Sequence, residues 1–223
     1  MVALPAMLAR MYQPAKTGAA LPATPPDIGT LSRFSSDGKT LLRFDPAAHV
    51  RAFDLTSLAM TRDLDIGVDP GARPCFPVGL YSPDGSTLYV ANAGAGTVRV
   101  VDLARFALRD TAVFPTDAAT TGAAPGRGAG PGTAALAPDG SRLYLFDGQS
   151  GSGLLVIDLT TLRQTARVLA DQAVRAVWPS PDGATIFAAL RGQDGTVALL
   201  HSDGSVAGAV QTGGTIIGFV ERS

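Results

Sequence analysis

This sequence of 223 residues predicts an all-β propeller, four complete blades of four antiparallel strands each, and three observations support that. A turn motif ending in Asp-Gly recurs at Asp37-Gly38, Asp84-Gly85, Asp139-Gly140 and Asp182-Gly183, at spacings of 47, 55 and 43 residues, the scale of one blade. Each copy lies between short strand-like runs, such as Thr87-Leu88-Tyr89-Val90-Ala91. The chain also holds 26 Gly and 16 Pro, which suits short strands joined by tight turns.

Each unit follows from its residues in order. Strand A precedes Ser-Pro-Asp-Gly, in which Pro presets φ, Asp bonds its own backbone and Gly takes the positive-φ site. Strand B follows the turn, and a Gly/Asn-rich link beginning at Asn92 leads in the second unit to strand C, Thr97 to Asp102. A short turn then gives strand D, Ala107 to Phe114. In the first three units strand C ends in Asp (Asp54, Asp102, Asp158), whose side chain can close the C–D turn. The units span about 30–66, 78–115, 133–170 and 174–212 of a single domain covering 1–223. An all-β sandwich of evenly spaced strands is the competing fold, but it needs no Asp-Gly turn repeated in register.

The second unit, Ser82-Pro-Asp-Gly followed by Leu-Tyr-Val-Ala-Asn and Val-x-Val-Val-Asp102, resembles the YVTN-type propeller repeat, and the likeness runs over almost the whole chain. The resemblance implies the fold and, with it, a bacterial, extracytoplasmic setting. It also implies little about function, because propellers host unrelated activities. Similar repeats occur in lactonases and in the heavy chains of quinone-dependent amine dehydrogenases.

The ends carry material for a fifth blade. Residues 215–220 read as a strand A without a partner, and residues 1–25 hold candidates for strands B, C and D, so the termini (1–25 and 213–223) would share one blade and close the ring. The alternative is a fragment of a seven-bladed propeller, the usual size in the family resembled.

Bulk properties narrow the function. Lys and Arg number 18 against 19 Asp and Glu, a net charge of −1, which argues against nucleic acid as a partner. No apolar run is long enough to span a bilayer. The apolar N-terminus lacks a basic region and is interrupted by Pro5, so it does not read as a secretory signal, in tension with the extracytoplasmic setting. Cys75 is the only cysteine, which excludes an internal disulfide and a cysteine-rich metal site.

Any site is expected on the B–C and D–A links, which vary in length, whereas the A–B and C–D turns are stereotyped. Arg73, Arg127 and Arg175 precede inner strands and Arg191 begins the fourth B–C link, so together they could grip a carboxylate or phosphate. The competing and cheaper reading pairs them with Asp69, Asp117 and Asp171, or leaves them in water. His49 and Asn92 join them as candidate ligand-binding residues on this face. Asp45, His49 and Asp147 are metal-ligand types without ligand spacing, so turn capping accounts for the aspartates more simply and no metal is assigned. Cys75 lacks a nearby base in sequence and reads as a buried hydrophobe. His201 stands where other units have Asp and reads as a turn residue. Trp178 reads as packing between blades. Gly126-Arg127-Gly128-Ala129-Gly130 has no Lys-Ser/Thr and leads into no helix, so it is not a phosphate loop.

The expectation is therefore a non-catalytic binding or scaffold module that recognises a protein, peptide or small ligand, with no cofactor and no catalytic residue assigned. The alternatives are an enzyme or enzyme subunit of lactonase-like or amine-dehydrogenase-like type, and a truncated propeller without independent activity.

Overall fold

The computed structural model describes residues 31–35, 37–45, 48–67, 77–114, 134–146, 153–191 and 195–214. They form four sheets of four strands, each sheet built from four consecutive strands in antiparallel order. Blade I holds β1 (Leu31–Phe34), β2 (Thr40–Asp45), β3 (His49–Asp54) and β4 (Met60–Asp65). Blade II holds β5 (Val78–Tyr81), β6 (Thr87–Asn92), β7 (Thr97–Asp102) and β8 (Ala107–Val113). Blade III holds β9 (Ala134–Leu136), β10 (Arg142–Leu145), β11 (Leu154–Asp158) and β12 (Arg163–Val168). Blade IV holds β13 (Val174–Pro179), β14 (Thr185–Leu190), β15 (Thr196–His201) and β16 (Val206–Gln211). The sandwich reading fails here, because the sheets are separate four-strand meanders. Of the terminal segments proposed for a shared blade, 1–25 and 213–223, all but Gly213 and Gly214 lie outside the described residues.

The A–B turns repeat almost atom for atom. Gly85 N–H donates to the Ser82 carbonyl at 2.9 Å and Ser82 N–H to the Thr87 carbonyl at 2.8 Å, with counterparts at Gly38, Gly140 and Gly183. The aspartate closes the turn: Asp84 Oδ1 accepts from Ser86 N–H at 3.0 Å and from the Ser82 hydroxyl at 2.5 Å. These bonds hold the Asp84 carboxyl down at about 2, led by the Ser82 hydroxyl. At the C–D turn, Asp54, Asp102 and Asp158 accept backbone N–H groups two or three residues on, and Leu58, Phe106 and Leu162 take positive φ. Blade IV departs from this. His201 ends β15, its N–H donates to the Ser205 carbonyl, and Asp203 two residues later accepts from Ser205 N–H at 2.8 Å. His201 is thus a turn residue, as its position suggested.

Every C–D strand pair shifts register at the same place, between Ala52 and Phe53, Val100 and Val101, Val156 and Ile157, and Leu199 and Leu200. A bulge there bends the outermost strand and increases its twist. The outer strands are mostly exposed, and charged residues on β4, β8 and β12 protect an open sheet edge, whereas β16 has none.

Period-two alternation sends the two faces of each middle strand to different neighbours. Leu88, Val90 and Val101 pack with Phe44, Val50 and Ile66 in the core between blades I and II. Tyr89, Ala91, Val98 and Val100 pack with Leu143, Leu145 and Ile157 between blades II and III. Tyr144, Leu154 and Val156 pack with Ile186, Ala188 and Leu200 between blades III and IV. A fully buried Leu or Val contributes about 1.5–3 kcal/mol, so these three cores hold the blades together.

Turn contacts add to each core. A Cβ built on Gly140 would lie 2.9 Å from Pro83 Cδ, so the turn of blade II presses against a position in blade III that only glycine fits. Blade I has Ser36 where the others have Pro, and there Arg33 takes over. Its guanidinium lies 3.1 Å from the equivalent point on Gly85, donates to the Ser82 carbonyl at 3.2 Å and sits 5.4 Å from the Tyr81 ring centroid. Burial pushes the Tyr81 hydroxyl up to about 12 against the opposing pull of Arg33.

Candidate functional site

The blades present two unlike ends. One carries the A–B and C–D turns, the other the B–C and D–A links.

At the link end of blade I, the candidates are already engaged with one another. His49 Nδ1 lies 2.7 Å from Asp63 Oδ1, Arg51 donates to Asp63 at 3.3 Å and to Asp45 at 2.7 Å. The His49 hydrogen bond, with help from Arg51, holds the Asp63 carboxyl below the usual carboxylate range. The cluster arises because β2, β3 and β4 place Asp45 opposite His49 and Arg51 opposite Asp63 on one face. Asp147 lies outside the described residues. Among the described residues no three His, Cys, Asp or Glu side chains are grouped to hold a metal ion. Asn92 is buried, and its Oδ1 accepts from Ala95 N–H at 3.2 Å, so it shapes the B–C link of blade II.

Blade IV differs. Arg175 lies on the inner strand β13 itself, not in the link before it as expected, where the A–B register shifts between Val174 and Ala176, the only described A–B pair with such a shift. Arg191 follows β14, and its N–H donates to the Ala173 carbonyl at 2.7 Å. Val174 and Leu190, which face each other across the two strands, both lie toward blade III. Arg175 is the unpaired extra residue of the β13 bulge, between Val174 opposite Leu190 and Ala176 opposite Ala189, and Arg191 follows Leu190 directly, so the two arginines stand at the same end of neighbouring strands. Both are exposed. Among the described residues neither side chain has a hydrogen-bond or ion-pair partner, so Asp171 does not neutralise them. Arg73, Arg127 and Cys75 lie outside the described residues. Trp178 is half-buried and stands opposite Phe187 on β14.

The turn end holds a feature the sequence reading did not name. A cleft of about 500 Å³ lies between blades III and IV, lined by Pro138, Asp139, Arg142, Tyr144, Pro181 and Asp182. Arg142 donates to the Ser202 carbonyl at 3.0 Å and the Tyr144 hydroxyl to the same oxygen at 3.4 Å. Asp139 and Asp182 each accept hydrogen bonds within their own turns and are held below the usual carboxylate range by them. The signal in sequence was slight: Arg142 stands where blade II has Thr87.

No protein-family model and no curated protein sequence matches the chain. Solved structures do. Hydrazine synthase from Kuenenia stuttgartiensis is 22% identical with a TM-score of 0.59, covering 87% of this chain and 52% of its own. A putative 6-phosphogluconolactonase from Bacteroides fragilis is 20% identical, also at 0.59, covering 82% and 55%. The β-propeller domain of Cps50 (Swd1) from Myceliophteria thermophila is 15% identical, again at 0.59, covering 86% and 58%. The chain spans a little over half the length of these structures, and at such identities the likeness establishes the fold: a β-propeller, with four blades described.

Proposed function

We propose that the chain is a β-propeller binding or scaffold module, recognising an anionic protein, peptide or small ligand over the end that carries the B–C and D–A links. The observation that carries this reading is the pair Arg175 and Arg191. They are exposed, Arg175 on β13 and Arg191 directly after the neighbouring β14, and their side chains have no hydrogen-bond or ion-pair partner among the described residues. Two neighbouring guanidiniums repel each other, and a carboxylate or phosphate between them removes that cost while gaining charge-assisted, bidentate hydrogen bonds. At the link end of blade I, by contrast, Asp45, His49, Arg51 and Asp63 are tied to one another, and the turn-end aspartates accept hydrogen bonds within their own turns.

Thermal unfolding with and without inorganic phosphate, and separately with citrate, tests it. The unaltered chain is expected to rise in Tm as the anion is added, by the amount mass action gives, about 2.7 kcal/mol at one hundred times Kd. R175A/R191A loses the rise, whereas R142A, at the other end, keeps it. A rise that survives in R175A/R191A, or no rise in any form, contradicts the proposal.

A further inference from the structure

The three cores use both sides of blades II and III, one side of blade I and one side of blade IV. The remaining side of blade IV is apolar across its middle strands, β14 and β15. Ile186, Ala188, Ala198 and Leu200 point to blade III, so alternation puts Phe187, Ala189, Val197 and Leu199 on the other side, with Trp178 opposite Phe187. Ala189 and Val197 are each only 2% exposed yet belong to none of the three cores. This is the face that blades II and III fill with Tyr89, Ala91, Val98 and Val100, and with Tyr144, Leu154 and Val156, against the blade that follows them.

The geometry points to residues 215–220 of this chain as the segment that docks on this face, as the inner strand of a further sheet. Chain direction supports it. After β4 and β8 the next residue donates its N–H across to the start of strand C, Ile66 to Ala48 and Phe114 to Gly96, and both side chains enter the core against the adjacent blade. Thr212 donates to Gly195 in the same way after β16, so the chain leaves blade IV as it leaves blades I and II. Five residues, 169–173, carry it from β12 to the inner strand β13, and a similar crossing here brings 215–220 alongside the apolar face. That segment, Thr-Ile-Ile-Gly-Phe-Val, is uncharged and carries four large apolar side chains, matching the surface it meets. A second copy of the chain is the other possible occupant. Blade I does not suit that role, because its corresponding side carries Arg43, Asp45 and Arg51.

Trp178 is the only tryptophan and reports on this face directly. In the unaltered chain its emission is expected at short wavelength, protected from acrylamide and independent of protein concentration. A chain ending at Gly214, and separately I216D/I217D, shifts the emission to longer wavelength and loses the protection, with the far-UV circular dichroism of the four blades retained. Hydrogen exchange in the unaltered chain supplies a readout that needs no variant: the amides of 216–219 exchange slowly, at rates comparable to β14. Emission unchanged by either variant, protection that appears only as the chain dimerises at higher concentration, or exchange of 216–219 at the rate of free peptide overturns the proposal.

Discussion

Blades I and II share strand order, turn chemistry and bulge position, yet their middle strands live in different surroundings. In β6 every residue is buried, and in β7 all but the last. In β2 and β3 buried residues are interspersed with half-buried ones. Part of the difference lies on the side of blade I that faces away from blade II, where Arg43, His49 and Arg51 are half-buried. Where blade II places Leu88, Val90 and Asn92, blade I has Leu41, Arg43 and Asp45, and opposite them Arg51 corresponds to Arg99. Arg43 Nε is buried without a hydrogen-bond partner among the described residues, while Val90 is 1% exposed inside a core. The same repeat thus supports two surface chemistries, and the neighbour of each face decides which one it needs.

The sharpest way to break this comparison is to exchange the residues. Val90→Arg puts a second guanidinium beside Arg99, its cross-strand partner, in an apolar core, and is expected to cost about 3–5 kcal/mol as an uncompensated buried charge. Arg43→Val removes a buried donor that lacks an acceptor and is expected to be neutral or to stabilise by about 1 kcal/mol. Urea unfolding of the two variants reads both numbers, and equal losses would erase the distinction between the blades.

A smaller contrast separates the turns. Gly140 and Gly38 have nearly the same positive φ, 72° and 68°, but only Gly140 is pressed by a neighbouring proline, and nothing lies within 4 Å of a Cβ on Gly38. Gly38→Ala is expected to cost about 1 kcal/mol from backbone conformation alone. Gly140→Ala costs more, because Pro83 must also move. Thermal unfolding of the pair measures the difference, and identical shifts would show that the turn contact between blades II and III contributes nothing.

Most of the fold was legible in the sequence because its signals are local. The Asp-Gly turns fix where strands A and B meet, and the aspartate ending strand C fixes the next corner, so β7 falls at Thr97–Asp102 as read. The roles of Trp178 and the arginines were only partly legible. Alternation places Trp178 on one side of its sheet, but which side meets a neighbour follows from the cores. What stayed hidden depends on contacts between residues far apart in the chain. Arg33 substitutes for a missing proline by reaching Ser82 and Tyr81 in the next blade. The cleft at Arg142 and Tyr144 exists because two turns about forty residues apart are brought face to face. His49 looked available for a ligand until the β3–β4 register placed Asp63 beside it. Nothing in spacing alone announces such pairs.

Hydrogen exchange across the whole chain tests most directly whether blades are stabilised through the neighbours on their two sides. The amides of β6, β7, β10 and β11, in blades flanked on both sides by a described core, should exchange most slowly, and those of β2 and β3 at least about tenfold faster, one decade being about 1.4 kcal/mol of opening free energy. Protection in β2 and β3 equal to that in β6 and β7 would contradict the account.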